Sequence, residues 1–355
     1  MFEAITPVLP VIWAVIIAVA VAMYVFMDGF DLGIGVLFPG FKVGEERDAA
    51  MNSIAPVWDG NETWLVLGGG GLLAAFPLAY AVVLPALYAP LIAMLLGLVF
   101  RGVAFEFRWR DPRHRRAWDA GFTFGSIVAA FAQGVTLGAL VQGIPVEGRA
   151  YAGGWFDWLT PFSLLTGVAI VVGYALLGAT WLIWKTAGPV HADARRYARW
   201  LLPAFALLVA AVSLYTPFLE GQYWRRWFAF PGLLVTVPMP LLVALATWKL
   251  WAALKRDEAV APEGGTLATF ADASSFGWTL ALFALSMIGL GISIWPDVVP
   301  GRISIWQAAA PPDAQGFMLV GVTLLLPLIL GYTAWSYWVF RGKVDASGGY
   351  HAHDH

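Results

Sequence analysis

Nine apolar stretches of about twenty residues or more run through this chain, and they set the terms on which it can fold. A bilayer core about 30 Å thick is crossed by roughly 20 helical residues at about 1.5 Å each, so every stretch is long enough to span it. The expected spans are Val8 to Phe38, Met51 to Phe76, Ala79 to Phe100, Trp118 to Gln142, Pro161 to Lys185, Trp200 to Leu219, Phe230 to Leu254, Phe276 to Pro296, and Phe317 to Phe340. They are apolar on all sides, whereas strands of a transmembrane barrel alternate apolar and polar over about ten residues. The expectation is an all-α polytopic membrane protein with nine transmembrane helices. Residues 1–340 would form a single integral membrane domain and 341–355 a short cytoplasmic tail.

Composition narrows the function. Charged residues make up 12% of the chain, against about 25% in a soluble domain. With 23 acids against 21 bases, no positive excess exists to hold a nucleic acid. The absence of cysteine excludes disulfides, thiolate iron–sulfur ligation and cysteine nucleophiles. The 19 tryptophans suit the boundary where lipid tails meet water.

Lysine and arginine collect in cytoplasmic loops, which gives the nine spans an orientation. Alternate connections and the C-terminus together hold 17 of the 21 basic residues, six of them from Arg101 to Arg116, while Arg149, Arg225, Arg226 and Arg302 fall on the other side. The N-terminus is therefore expected outside and the C-terminus inside. The first segment has no basic leader and continues into Asp28 and Asp31, so it reads as a retained helix rather than a cleaved signal. A small alanine-, proline- and glycine-rich linker spans Ala259 to Thr269, and no internal repeat of the transporter kind is evident.

Polar groups inside lipid carry the functional information, because each is costly there. Asp28 and Asp31 are three residues apart and share a helix face; Asn52, Asp59 and Glu62 are expected on one stripe of the second helix. Glu106 and Asp119 flank the arginine-rich third connection, and Arg101 is expected at the end of the third helix. Both acid pairs lie in the cytoplasmic half on this orientation. Desolvation disfavours the charged form of a carboxylate, so such groups can exchange protons near neutrality. Two readings stand side by side: a proton path from the cytoplasm, or acids that bind Arg101 and hold the bundle together. All five histidines, His114, His191, His351, His353 and His355, are expected in connections or the tail, so the membrane helices offer no bis-histidine site for a haem. The alternating tail histidines read as a terminus, and Met23, Met27 and Met287 as packing. The run Gly68 to Gly71 implies close helix contact, since glycine weakens an isolated helix.

The segments Asp28-Gly29-Phe30-Asp31-Leu32-Gly33-Ile34-Gly35 and Asn52-Ser53-Ile54-Ala55-Pro56-Val57-Trp58-Asp59-Gly60-Asn61-Glu62-Thr63-Trp64-Leu65 resemble subunit II of the cytochrome bd-type ubiquinol oxidases, cyanide-insensitive members included. The likeness continues through Phe100-Arg101-Gly102-Val103-Ala104-Phe105-Glu106-Phe107-Arg108, Leu140-Val141-Gln142-Gly143 and Tyr332-Thr333-Ala334-Trp335-Ser336-Tyr337-Trp338. The resemblance implies a partner, subunit I, that carries haem b and haem d and the quinol-oxidising loop. It implies a bacterial cytoplasmic membrane, oxidation of ubiquinol on the outer side, reduction of oxygen to water and proton uptake from the cytoplasm. A bound quinone and a small accessory subunit stay open. By position, Asp28, Asp31, Asp59, Glu62 and Arg101 would form a polar group near the subunit interface that helps supply protons.

The leading expectation is the non-catalytic subunit of a proton-motive quinol:oxygen oxidoreductase, its nine helices packed as two four-helix groups plus one peripheral helix. A proton-coupled secondary transporter using the same carboxylates and a purely structural membrane scaffold are the alternatives. Co-purification of a haem-bearing partner separates the first from the second. The basic-residue asymmetry predicts that a reporter active only in the cytoplasm, fused at His355, is active there; activity of a periplasmic reporter instead would refute the helix count or the orientation.

Overall fold

The computed structural model describes residues 6–256 and 266–344. Fourteen helices follow one another: α1 (Leu9–Leu37), α2 (Glu45–Asn52), α3 (Trp58–Ala75), α4 (Pro77–Ala86), α5 (Tyr88–Arg110), α6 (Arg115–Val141), α7 (Pro161–Lys185), α8 (Gly188–Tyr215), α9 (Gly221–Phe228), α10 (Leu233–Thr236), α11 (Pro238–Arg256), α12 (Thr266–Ile294), α13 (Ile305–Ala308) and α14 (Pro312–Val339). Two short hairpins, β1 (Val146–Glu147) with β2 (Ala150–Tyr151) and β3 (Asp297–Val299) with β4 (Ile303–Ser304), close connections at the end opposite the basic one. Among the described residues, eight helical segments are long and apolar enough to cross a membrane. Seven of these and the α11 segment's extension through Leu233 correspond to expected spans; the expected second span corresponds to α3, which carries more polar residues.

Several boundaries differ from expectation, each for a local reason. The second span was expected as one helix from Met51, but α2 ends at Asn52 and α3 starts only at Trp58. Pro56 lacks an N–H and drives its predecessor from helical geometry, so residues 53–57 turn instead. Asn52 therefore does not share a helical stripe with Asp59 and Glu62. A second break, at Leu87, divides the expected third span into α4 and α5, between Pro85 and Pro90. Helix α5 then runs on to Arg110, which puts Arg101 well inside the helix rather than at its end. Helices α8 and α12 both begin earlier than their apolar runs, on polar turns that project from the apolar zone. Thr266 to Thr269 of the expected linker belong to α12, and its remaining residues lie outside those described, as do His351, His353 and His355.

Helix α3, 18 residues long, is tied to its neighbours near both ends. At one end, Trp13 Nε1 of α1 donates to Gln315 O of α14 (3.2 Å), and Gln315 Nε2 donates to Ala75 O at the close of α3 (3.2 Å). At the other, Asn61 of α3 meets late residues of α1 and α14. The centre of the bundle is α1, α6 and α7, with α3 beside α1, α5 beside α6, and α8, α11 and α12 completing a ring with α7. Phe30 of α1 stacks on Trp181 of α7 with centroids 4.1 Å apart, and Phe276 of α12 meets both rings edge-on.

One backbone crossing fixes this arrangement. A Cβ on Gly33 would collide with the Tyr174 carbonyl of α7, and one on Gly178 with the Gly33 carbonyl carbon, so α1 and α7 touch main chain to main chain. In lipid no hydrophobic force draws helices together, and small residues supply the close packing that does. The run Gly68 to Gly71 acts partly in this way: Gly68 and Gly71 face Val21 and Ile17 of α1, while Gly69 and Gly70 face open space. Gly33→Val or Gly178→Val should lower stability by about 3 kcal/mol or more, at the top of the usual overpacking range because backbone cannot move aside. Gly331→Ala, which meets nothing inside α14, should cost nothing and add up to about 1 kcal/mol from helix propensity; thermal unfolding in detergent reads the difference.

Candidate functional site

Late in α1, early in α3 and midway along α5, a charged cluster forms inside the bundle. Arg101, 1% exposed, places Nη2 2.5 Å from Glu62 Oε1 and 2.9 Å from Asp28 Oδ1. Its guanidinium also lies 5.8 Å from the Trp58 ring centroid. Asp28 and Asp31 are both fully buried, on the shared face expected from their spacing. Asp31 Oδ2 accepts from Asn61 Nδ2 (2.8 Å), and Asn61 Oδ1 accepts from the Tyr337 hydroxyl of α14 (2.8 Å). Two carboxylates thus meet one guanidinium, with Asp31 lying one turn further along α1 on Asn61. Asp31 Oδ1 and Arg101 Nε and Nη1 are buried without a hydrogen-bond partner among the described residues.

One turn before Asp28, Tyr24 continues the polar thread. Tyr174 donates to Gln133 Oε1 (2.8 Å), and Gln133 Nε2 donates to the Tyr24 hydroxyl (2.6 Å), linking α7, α6 and α1. Four of the five sequence-expected residues, Asp28, Asp31, Glu62 and Arg101, are therefore brought together. Asp59 is not: it lies exposed in the first turn of α3, where a carboxylate favours the positive helix end. The expectation that Asp59 sits deep in the helix fails because α3 begins seven residues later than Met51. Asn61, Tyr337, Gln133, Tyr24 and Tyr174 were missed. All are neutral, and a search of the apolar runs for amides and phenols as well as charges would have found them.

Glu106 and Asp119 part company too. Asp119 is buried and bridges Arg108 (2.5 Å) and Arg47 (2.7 Å), while Asp48 takes Arg108 (2.8 Å) and Arg115. This second network pins α2 to α5 and α6. Glu106 makes only a loose 3.9 Å pair with Arg110.

The histidines bear on a haem. His191 lies within the first turn of α8 rather than in a connection, and its ring nitrogens face Ile183 O (3.0 Å) and Arg195 (3.2 Å). His114 is exposed; its contact with Asp111 (2.8 Å) holds that carboxyl below the usual carboxylate range. Neither imidazole is placed to ligate a haem within the bundle, so the described residues do not fit a haem held by this chain alone.

A family model for cytochrome bd terminal oxidase subunit II matches residues 9–340. The chain is 32% identical to cytochrome bd-I ubiquinol oxidase subunit 2 of Escherichia coli K12, over 95% of each. It is 29% identical to cytochrome bd ubiquinol oxidase subunit 2 of Bacillus subtilis, over 94% of this chain and 96% of that one. Its fold is similar to a chain of the bd oxidase structure from Geobacillus thermodenitrificans, with TM-score 0.72 and 17% identity over 94% of this chain and 98% of the other.

Removing one member of a buried ion pair leaves the other uncompensated, at a cost of about 3 to 5 kcal/mol. Arg101→Leu should therefore unfold earlier on heating and accumulate poorly. Adding Asp28→Asn and Glu62→Gln to it should recover much of the loss, since the two acids that touch the guanidinium are then neutral. A triple variant no more stable than Arg101→Leu would show that the guanidinium acts through something other than these acids.

Proposed function

This chain belongs to the cytochrome bd terminal oxidase subunit II family, and from that premise we propose how it serves its complex. It is a multi-pass membrane subunit of a quinol oxidase, an oxidoreductase whose complex carries haem and includes subunit I. Membership does not favour the transporter reading. In the proposal, haem b and haem d are ligated by subunit I, ubiquinol is oxidised on the outer side and oxygen is reduced to water. The absence of a suitably placed imidazole among the described residues supports assigning the haem ligands to the partner.

Reducing oxygen to water consumes a proton for each electron, so protons must reach a site inside the membrane. Buried Asp28, joined by Arg101 to the partly exposed Glu62, with buried Asp31 one turn on, is the observation that carries the reading of this subunit as a proton supplier. Glu62 faces outward from the bundle, Arg101 holds Glu62 and Asp28 together, and Asp31 is oriented by Asn61, itself set by Tyr337. The C-terminal end of α1 belongs to the basic end, taken as cytoplasmic with the N-terminus periplasmic. Nine crossings follow when α3 is counted with the eight longer helices: its contacts at both ends with α1 and α14 support this. The helices α1, α3, α5 and α6 make one four-helix group, α7, α8, α11 and α12 the other, and α14 is peripheral.

Asp59, Thr63, Val66, Gly69 and Gly70 lie on outward-facing positions of α3. An exposed carboxylate and two bare glycines make a poor lipid-facing surface, and they suit docking of subunit I. Asp59 in this reading meets the partner rather than the buried acids.

Asp31→Asn keeps the side-chain shape but cannot exchange a proton. Quinol-driven oxygen uptake by the purified complex should fall about tenfold or more while haem content is retained, an effect typical of losing a positioned proton carrier. Asp31→Glu should recover part of the rate. Normal turnover across pH 6 to 9 in a fully haem-loaded Asp31→Asn complex would remove Asp31 from the path. The absorbance spectrum of the same preparation tests for haem d, which absorbs at longer wavelength than haem b.

A further inference from the structure

A cavity of about 370 Å³ opens at the basic end of the bundle, between the close of α2, the last turns of α7 and the chain leaving α14. Tyr337 borders it as well as the carboxylate cluster, but its remaining lining serves neither the acids nor Arg101. That lining is rich in positive charge and in donors. Lys185, 4% exposed, donates to the Phe340 carbonyl and to Gly342 O (2.7 Å), and among the described residues no carboxylate pairs with it. Lys343 divides its ammonium between Thr186 O (3.0 Å) and Asp272 (2.9 Å), and Asp272 also faces Arg195 (3.3 Å). Among the described residues, Asp272 pairs with Lys343, and no acid pairs with Lys185.

Two further groups lack partners. Trp181 lines the cavity, is 2% exposed, and its indole N–H has no acceptor. The Asn52 Oδ1 is likewise buried and unpartnered, and its amide can turn to offer either a donor or an acceptor. Burying a donor without an acceptor is costly, and a natural fold keeps few such groups. An ammonium without a counter-ion, an orphan indole N–H and an adaptable amide around one cavity form a receptor for an oxyanion. A lone phosphate would leave much of the volume unfilled. At the rim, Val339 and Phe340 are exposed, and the outward side of α14 continues with Leu328, Tyr332 and Trp335, an apolar track starting where a headgroup would sit.

We propose that this cavity binds a phosphate oxyanion, carried by the headgroup of an anionic phospholipid whose chains lie along α14. The ligand neutralises Lys185 and takes the Trp181 N–H, while the Asn52 amide meets the headgroup's hydroxyls.

The assembled complex is prepared in detergent as wild type, Lys185→Gln and Trp181→Phe. The last keeps a ring against Phe30 and removes no hydrogen bond inside the protein, so it preserves the test if Lys185→Gln accumulates poorly. Native mass spectrometry counts bound phosphatidylglycerol and phosphatidylcholine, and equilibrium dialysis measures labelled inorganic phosphate. Wild type should retain one phosphatidylglycerol more than either variant, with affinity about tenfold higher, as expected for losing one charge-assisted hydrogen bond. Phosphatidylcholine should compete poorly. Binding of inorganic phosphate that is lost in both variants, without selective lipid binding, would keep the oxyanion site and overturn the lipid as its source. Anion binding unchanged in both variants, or absent from wild type with either source, would overturn the site itself.

Discussion

A guanidinium held 1% exposed in the middle of a membrane helix is the constraint around which the rest of this bundle is arranged. Such a charge persists in lipid-enclosed surroundings only when its partners are brought to it, since desolvation is costly and unpaired ions more so. The partners of Arg101 come from two other helices. Asp28 requires the late turns of α1 to come within side-chain reach of α5, and Glu62 requires α3 to start at the right depth beside them. The turn at Pro56 supplies that depth. The main-chain crossing at Gly33 and Gly178 then holds α1 rigidly against α7, so the acids of α1 cannot slide along their axis to meet the arginine elsewhere.

What the residue order revealed, and what it concealed, follows the range of the forces involved. Hydrophobicity over twenty residues is a bulk property, so the apolar runs corresponding to α1, α6, α7 and α14 were legible to within a few residues. The starts of α8 and α12 were not, because polar turns at the water boundary cost nothing and leave no mark in hydropathy. Asp28 and Asp31 were found by charge and period. Arg101 was noticed but misplaced, because its helix continues nine residues past it through Arg108 to Arg110, a sequence that reads as a loop. Asp59 was put too deep because one proline outweighed the surrounding apolar run. Asn61 and Tyr337 escaped for a different reason: they are 276 residues apart and only the packing of α14 on α3 gives them a common purpose.

The two charged networks also divide labour by their balance. Around Arg101 two acids meet one base, and Asp31 beside them keeps one oxygen without a partner among the described residues. Around Asp119 and Asp48 the arginines are in excess, the contacts are short, and the result ties α2 to the ends of α5 and α6. A group that must change its charge needs the first kind of surroundings, and a joint that must not move needs the second. Their separation along α5, seven residues from Arg101 to Arg108, keeps the joint about 10 Å from the acids that meet Arg101.

The hydroxyl of Tyr337 that orients Asn61 comes from the last helix of the chain, while Asn61 and Asp31 come from the first two segments to enter the bilayer. During synthesis the early helices therefore wait in the membrane with an incomplete hydrogen-bond set until α14 has followed them. A prematurely terminated product would display this unsatisfied polar patch to the membrane, a mark by which proteases that survey the bilayer could tell unfinished chains from finished ones.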